Sequence, residues 1–210
     1  VVAPRNYKFK RPWGLPVRYH DFSELTKKTN ADFLEFHLSY KDLEQDVGSF
    51  FKKQLDLGLV VHCPELFMGD HLLNLAANDK AYRNRSIKEL QKVINVTREL
   101  RTFFNQEGPV LIVTNVGGFT KDMALDPAKR TSLYERVAKS LSELDTSDVE
   151  IIPQTMPPFP WLFGGQYFHN LFVDPEETVM FCRNHDYRVC LDVSHSQLHA
   201  NYEKSSLKEF

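Results

Sequence analysis

The sequence predicts an α/β fold, a (β/α)8 TIM barrel of which six of the eight strands are visible along 210 residues. Three observations predict it. From Val17 onward short apolar runs alternate with longer amphipathic segments, two helix starts are marked by Asp-Pro, and polar side chains gather where the apolar runs end.

Residues 1–16 carry Pro4, Pro12, Gly14 and Pro16 and read as a linker or N-terminal cap with something preceding it, and the barrel domain is expected over 17–210. The strand candidates are "PVRYHD" (16–21), "DFLEFHLS" (32–39), "GLVVHCP" (58–64), "PVLIVTNV" (109–116), "VEIIPQT" (149–155) and "YRVCLDV" (187–193). Helices are expected between and after them near 23–29, 41–56, 84–105, 127–144 and 175–185. In the longest, Ile87, Leu90, Val93, Ile94 and Leu100 recur at helical spacing, and "DPAKR" and "DPEET" each put an N-cap Asp before a first-turn Pro. A barrel needs eight strands and about 250 residues, so the C-terminal strands are expected to be missing, and "NYEKSSLKEF" reads as a helix just beginning. The alternative is an open, doubly wound sheet. Missing strands are preferred, because an open six-stranded sheet leaves two long apolar edges exposed.

With 42% hydrophobic and 26% charged residues the composition is that of a soluble globular domain. A net charge of −2 argues against phosphate backbone or anionic lipid as the main partner, so neither nucleic acid nor membrane is expected. No stretch of about 18 apolar residues occurs. The three cysteines, Cys63, Cys182 and Cys190, suit reduced thiols, and a cytoplasmic location is expected.

The polar strand ends are His20 with Asp21, His37, His62, Asn115, Gln154, and Asp192 with His195. In parallel α/β folds that edge is where ligands bind, because the loops leaving it converge. Asp192 and His195 form D-x-x-H, a carboxylate and an imidazole suited to a divalent metal (Mn²⁺, Zn²⁺, Co²⁺ or Mg²⁺) with positions left for substrate oxygens. The same spacing also suits an N-cap Asp with a hydrogen-bonded histidine. His62 ends its strand before Pro64 and either contacts substrate or is structural. Asn115 and Gln154 carry amides, which orient sugar hydroxyls but bind transition metals poorly and are not general bases; equally, they tie down loop backbone. "TMPPFPWLFGGQ" (155–166) reads first as a rigid lid whose Trp161 can stack on a sugar ring, and the glycine pairs Gly164–Gly165 and Gly117–Gly118 give backbone N–H groups room to approach an anion. Glu35 shares a strand side with His37. His71, His169, His185 and His199 read as ordinary surface or capping residues, and no residue is assigned as the catalytic base.

The segments "VVHCP", "TNVGG", "IIPQTM" and above all "CLDVSHS", which looks like an L-D-x-x-H strand end, together resemble the xylose isomerase-like barrel superfamily. That superfamily includes sugar-phosphate isomerases and epimerases and the AP-endonuclease-type nucleases. The resemblance runs from about Val17 to the end of the chain. More narrowly, "RPWGLPVRYHDF" and "PQTMPPFPWLFGGQ" are similar to a barrel module fused behind an N-acetylneuraminate (sialic acid) synthase-like module. The resemblance implies a sugar or sugar phosphate as substrate, a divalent metal, proton abstraction next to a carbonyl, a place in nonulosonic (sialic) acid biosynthesis, and a fused or associated synthase module. Carried over by residue, it implies Asp192 as a metal ligand, His195 as a metal or substrate contact and His62 as a match to the nuclease branch's histidine; His62, Asn115 and Gln154, with Trp161 of the loop, are expected to line the substrate pocket. Two positions depart from the pattern. Asn115 stands where the nuclease branch has histidine and Gln154 where the family has a strand-end glutamate, which disfavours a nuclease and raises an alternative: a non-catalytic carbohydrate-binding or regulatory domain with a degenerate metal site.

Overall fold

Five of the six apolar runs form one sheet in the computed structural model, which describes residues 9–158 and 167–209. They are β1 (Gly14–Val17), β2 (Phe33–His37), β3 (Gly58–His62), β6 (Val110–Thr114) and β8 (Val149–Pro153), hydrogen-bonded in that order. Spatial order follows chain order without reversal. That is the singly wound wall of a (β/α) barrel; a doubly wound sheet reverses at a switch point. Helix α1 (Phe22–Lys28) links β1 to β2, α2 (Lys80–Arg101) links β3 to β6, α3 (Pro127–Leu141) links β6 to β8, and α4 (Pro175–His185) and α5 (Val193–Glu203) follow. The two-residue strands β4 (Leu66–Phe67), β5 (His71–Leu72), β7 (Thr120–Lys121) and β9 (Tyr167–Phe168) lie in the connections. No helix among the described residues is long and apolar enough to cross a membrane.

The strands alternate as their side chains demand. Leu34, Phe36, Leu59 and Val61 are buried, while Glu35, His37, Val60 and His62 project to the other face and are only half-buried. Parallel register sets Glu35 beside Val60 and His37 beside His62. The helices keep the signals read from sequence. Asp126 accepts from the Ala128 N–H at 2.9 Å and Asp174 from the Glu177 N–H at 2.9 Å, each followed by Pro at the first helical position.

Contacts divide the chain into two units. The first holds the residues up to Asp70, Gln91–Val113 and Asp145–Ile151. Its core is aromatic, with Phe36 meeting Phe22, Phe51 and Phe104 at ring-centroid distances of 5.5, 6.1 and 5.9 Å. Arg98 closes it at the surface, donating from Nε to Asp148 at 2.8 Å and pairing through Nη2 with Asp145 at 3.0 Å. The second unit holds His71–Leu90, Thr114–Leu144 and the residues from Ile152 on. There Tyr134 and Phe181 pack on the fully buried Phe172, whose backbone N–H donates to the Tyr134 hydroxyl at 2.9 Å.

Three elements depart from the sequence reading. The strand expected over 16–21 lies earlier, at Gly14–Val17, so His20 and Asp21 fall in the turn before α1, with Asp21 at its N-cap, and not at a strand end. The helix expected over 41–56 is two 3-10 turns, Asp42–Glu44 and Val47–Phe50. Asp42 takes the Ser39 N–H and hydroxyl and Asp46 takes the Gly48 N–H, so local side-chain bonds outcompete a continuous helical ladder. The strand expected over 187–193 is reduced to a single parallel bridge between Cys190 and Gln154. Val189, Leu191 and Val193 are 36%, 52% and 58% exposed rather than in the core, and Val193 already belongs to α5 because Asp192 caps that helix.

Candidate functional site

Each unit carries its own group of strand-end side chains. In the first, His37 and His62 end β2 and β3, paired in register, and their imidazoles stack at 4.6 Å and 17°. Glu35 reaches His37 Nε2 at 2.9 Å, and Arg18 donates to the His37 carbonyl at 2.7 Å. His62 Nδ1 donates to the Cys63 carbonyl at 3.1 Å, which fixes the ring against the chain as it leaves the strand.

In the second unit the tip of β8 meets the start of α5. Cys190 donates to the Pro153 carbonyl at 2.8 Å and accepts from the Thr155 N–H at 3.0 Å, locking the two segments side by side. Thr155, only 1% exposed, is the hub. Its hydroxyl accepts from the Asp192 N–H at 2.9 Å and lies 3.2 Å from Ser196 Oγ, and its carbonyl accepts from His195 Nδ1 at 2.8 Å. Because a carbonyl only accepts, His195 carries a proton on Nδ1. Asp192 does what the capping alternative requires, with Oδ1 accepting from the His195 N–H at 2.9 Å. Its other oxygen stands 3.5 Å from His195 Nδ1, beyond a good hydrogen bond, so Thr155 and not Asp192 orients the ring.

The amides also lie in this unit. Asn115 is 4% exposed, and its Oδ1 accepts from the Gly117 N–H at 2.6 Å. Gly118 N–H donates to Asn74 Oδ1 at 2.9 Å, so both N–H groups of this glycine pair are spent on side chains of the protein itself and do not form an anion cradle. Gln154 is 5% exposed beside Cys190, its backbone N–H donating to the Thr114 carbonyl at 3.0 Å. Trp161 and the Gly164–Gly165 pair fall outside the described residues.

The structure therefore brings Asp192 and His195 together around Thr155, with Gln154 bridged through its backbone to Cys190 and Asn115 in the same unit, and puts His62 with His37 in the other. Among the described residues no group of three or more His, Cys, Asp or Glu side chains is gathered to hold a metal ion. Sequence reasoning missed Thr155, a small hydroxyl residue hidden behind the more conspicuous Gln154. It also misread three histidines as surface or capping residues: His71 is 3%, His199 8% and His169 1% exposed. Burial, with a lesser contribution from His195, pushes its pKa down to about 4, so the ring is neutral at physiological pH. The signal available for it was its setting in "YFHNLFV", where apolar neighbours on both sides mark a buried segment.

The family model described as "Xylose isomerase-like TIM barrel" matches residues 23–208. Among solved structures, the chain is similar to a D-tagatose 3-epimerase-like protein, with 18% identity and a TM-score of 0.57 over 95% of this chain and 70% of that one. It is also similar to an L-ribulose 3-epimerase, with 15% identity and a TM-score of 0.50 over 91% of this chain and 63% of that one. At such identity the likeness is one of fold. A search of curated proteins finds no match.

Proposed function

The chain belongs to the xylose isomerase-like TIM barrel family, and from that premise we propose that it binds a sugar or sugar phosphate at the strand tips of its second unit, as a barrel of the isomerase/epimerase type. One observation carries the reading. Thr155 holds the His195 ring in one orientation at the β8 tip, with the Asp192 carboxylate beside it. The two solved structures it resembles are an epimerase-like protein and an epimerase named for ketoses, D-tagatose and L-ribulose, which makes ketoses the sugar class to try first.

The chemistry of such a barrel is proton transfer at the carbon beside a carbonyl, which needs a base and a group that polarises the carbonyl oxygen. The divalent metal implied by the family resemblance does not fit the described donors. Asp192 and His195 bring two donors, one Asp192 oxygen and one His195 nitrogen are committed to the backbone, and the other tips of this unit carry the neutral amides of Asn115 and Gln154. This donor set favours a second reading, a carbohydrate-binding or regulatory domain that does not turn its ligand over. We further associate the chain with sialic acid biosynthesis in the cytoplasm, beside a fused or associated synthase module, on the strength of "RPWGLPVRYHDF" and "PQTMPPFPWLFGGQ".

Calorimetric titration with D-tagatose, L-ribulose and their phosphates tests the sugar reading. Saturable binding that weakens at least tenfold in His195→Ala is expected; no saturable binding by any of them removes the proposal. Turnover of the bound ketose, followed by NMR with and without Mn²⁺, separates enzyme from binding domain. If Gln154→Glu gains neither metal nor activity, the lost ligand is not what keeps the site silent.

A further inference from the structure

The helices of the second unit hold a cavity that the strand-tip residues do not line. It has a volume of about 330 Å³ and lies between α3 and α4, with Thr131, Tyr134 and Glu135 on one side and Glu177, Met180 and Phe181 on the other. That size is at the small end of ligand pockets, which run from about 300 to about 1,000 Å³. The spacing of these residues, three and four apart, puts one stripe of each helix on the cavity. Its buried wall is aromatic: Tyr134 and Phe181 are 8% and 3% exposed, with ring centroids 5.4 Å apart. Met180, by contrast, is 62% exposed.

The charge of the lining is one-sided. Glu135 and Glu177 line the cavity, and among the described residues no lysine or arginine does. Glu177 stands three residues after the Asp174 cap, a position from which a glutamate ordinarily turns back to the backbone of the cap. Here it faces α3 instead, where Arg130 Nη1 stands 3.5 Å from its Oε1. That guanidinium is shared, since Nε and Nη2 both donate to the Leu125 carbonyl, at 3.1 and 3.0 Å. Glu177 Oε2 accepts no hydrogen bond among the described residues. Burial pushes the pKa of this carboxyl up against the pull of Arg130, so its charged form is short of cations. A cation entering the cavity supplies one, and aromatic rings favour an apolar body that carries positive charge. The mouth is polar, with Glu135, Asn184 and His185 all exposed. A docked protein would strip water from these groups, whereas a small molecule covers the aromatic wall and leaves them wet.

We propose that the α3–α4 cavity binds a small organic amine, its ammonium group meeting the carboxylates of Glu177 and Glu135 and its apolar body lying against Tyr134, Phe181 and Met180. The site is built by helices and not by strand tips, and it stands independently of the sugar-binding reading.

The experiment titrates the protein with phenethylamine and with phenylpropanoate, which carries the same ring on a similar stem with the opposite charge, and follows ¹H–¹⁵N spectra of the labelled chain. The amine is expected to give saturable shifts of backbone amides in α3 and α4, and the propanoate to bind at least tenfold more weakly. Glu177→Gln keeps the shape and removes the charge, and is expected to weaken amine binding at least tenfold. Met180→Arg places a cation at an exposed position of the lining and is expected to abolish amine binding in a folded protein. No saturable binding of the amine, equal affinity for the two compounds, shifts confined to residues outside α3 and α4, or unchanged amine binding in Glu177→Gln each overturns the proposal. Should Glu177→Gln fail to fold, Met180→Arg decides: amine affinity equal to that of wild type overturns it.

Discussion

Asp192 is the residue at which two chemistries compete for one side chain. Its Oδ1 caps α5 through the His195 N–H, so Asp192→Ala should lower stability by about 1 kcal/mol, the ordinary cost of losing a cap. Asp192→Asn keeps the capping oxygen and should unfold within about 0.5 kcal/mol of wild type in urea. A loss of sugar affinity in the Asn variant then belongs to the charge and not to the helix. His169 makes a second residue-scale prediction. Its pKa is about 4 when folded and near 6.5 when unfolded, so below pH 6.5 the unfolded chain takes up a proton that the native ring refuses. Stability therefore falls as pH drops from about 6.5 toward 4 and levels off below. Between pH 7 and 4.5 His169→Phe should gain about 2 kcal/mol relative to wild type in urea unfolding, because the variant has no such proton to take up. An equal pH response of the two proteins contradicts the buried, neutral ring.

At the scale of elements, the loop that leaves β6 is shaped by two close approaches. Gly117 has φ +84°, and a Cβ there would sit 2.4 Å from Asn74 Cα, a backbone atom that cannot step aside. Gly118 has φ +76° and would press on Leu171 Cδ1 at 2.6 Å. Gly117→Ala should cost about 2–4 kcal/mol, since left-handed strain adds to a backbone clash. Gly108 has φ +73° with open space around it, and Gly108→Ala should cost only about 1 kcal/mol, for strain alone. Comparable losses in thermal or urea unfolding would mean that the close approach to Asn74 is not what requires glycine. The glycine pair was legible in "TNVGG", but its purpose was not: alternating apolar residues announce a strand, whereas the approach of Asn74 from an earlier segment leaves no mark on the local sequence. The same holds for "YRVCLDV", whose apolar run promises a strand although pairing reaches only Cys190 and the capping Asp192 turns Val193 into a helix.

For the whole molecule, a sheet whose spatial order follows the chain is what makes this a barrel wall, and Cys190 meets Gln154 at the tip of β8 in an isolated parallel bridge. Leu191, 52% exposed, is the position where sequence and structure disagree most openly. Leu191→Lys should leave the unfolding midpoint within about 0.5 kcal/mol of wild type, whereas Leu59→Lys, at 1% exposure in β3, should prevent folding or cost more than about 4 kcal/mol. A large loss at Leu191 would show that this segment is buried in the folded protein after all. The sequence by itself determined the fold class, five of the strands, the capped starts of α3 and α4 and the clustering of polar residues at strand ends, because each follows from periodicity and capping within a few neighbouring residues. Only the tertiary structure decided that Thr155 orients His195, that Asp192 caps a helix, that Asn115 binds its own loop, and that His169 is buried with no hydrogen-bond partner among the described residues. These depend on groups distant in the chain meeting at hydrogen-bond distance, and on water being excluded from a particular side chain, which no local pattern encodes.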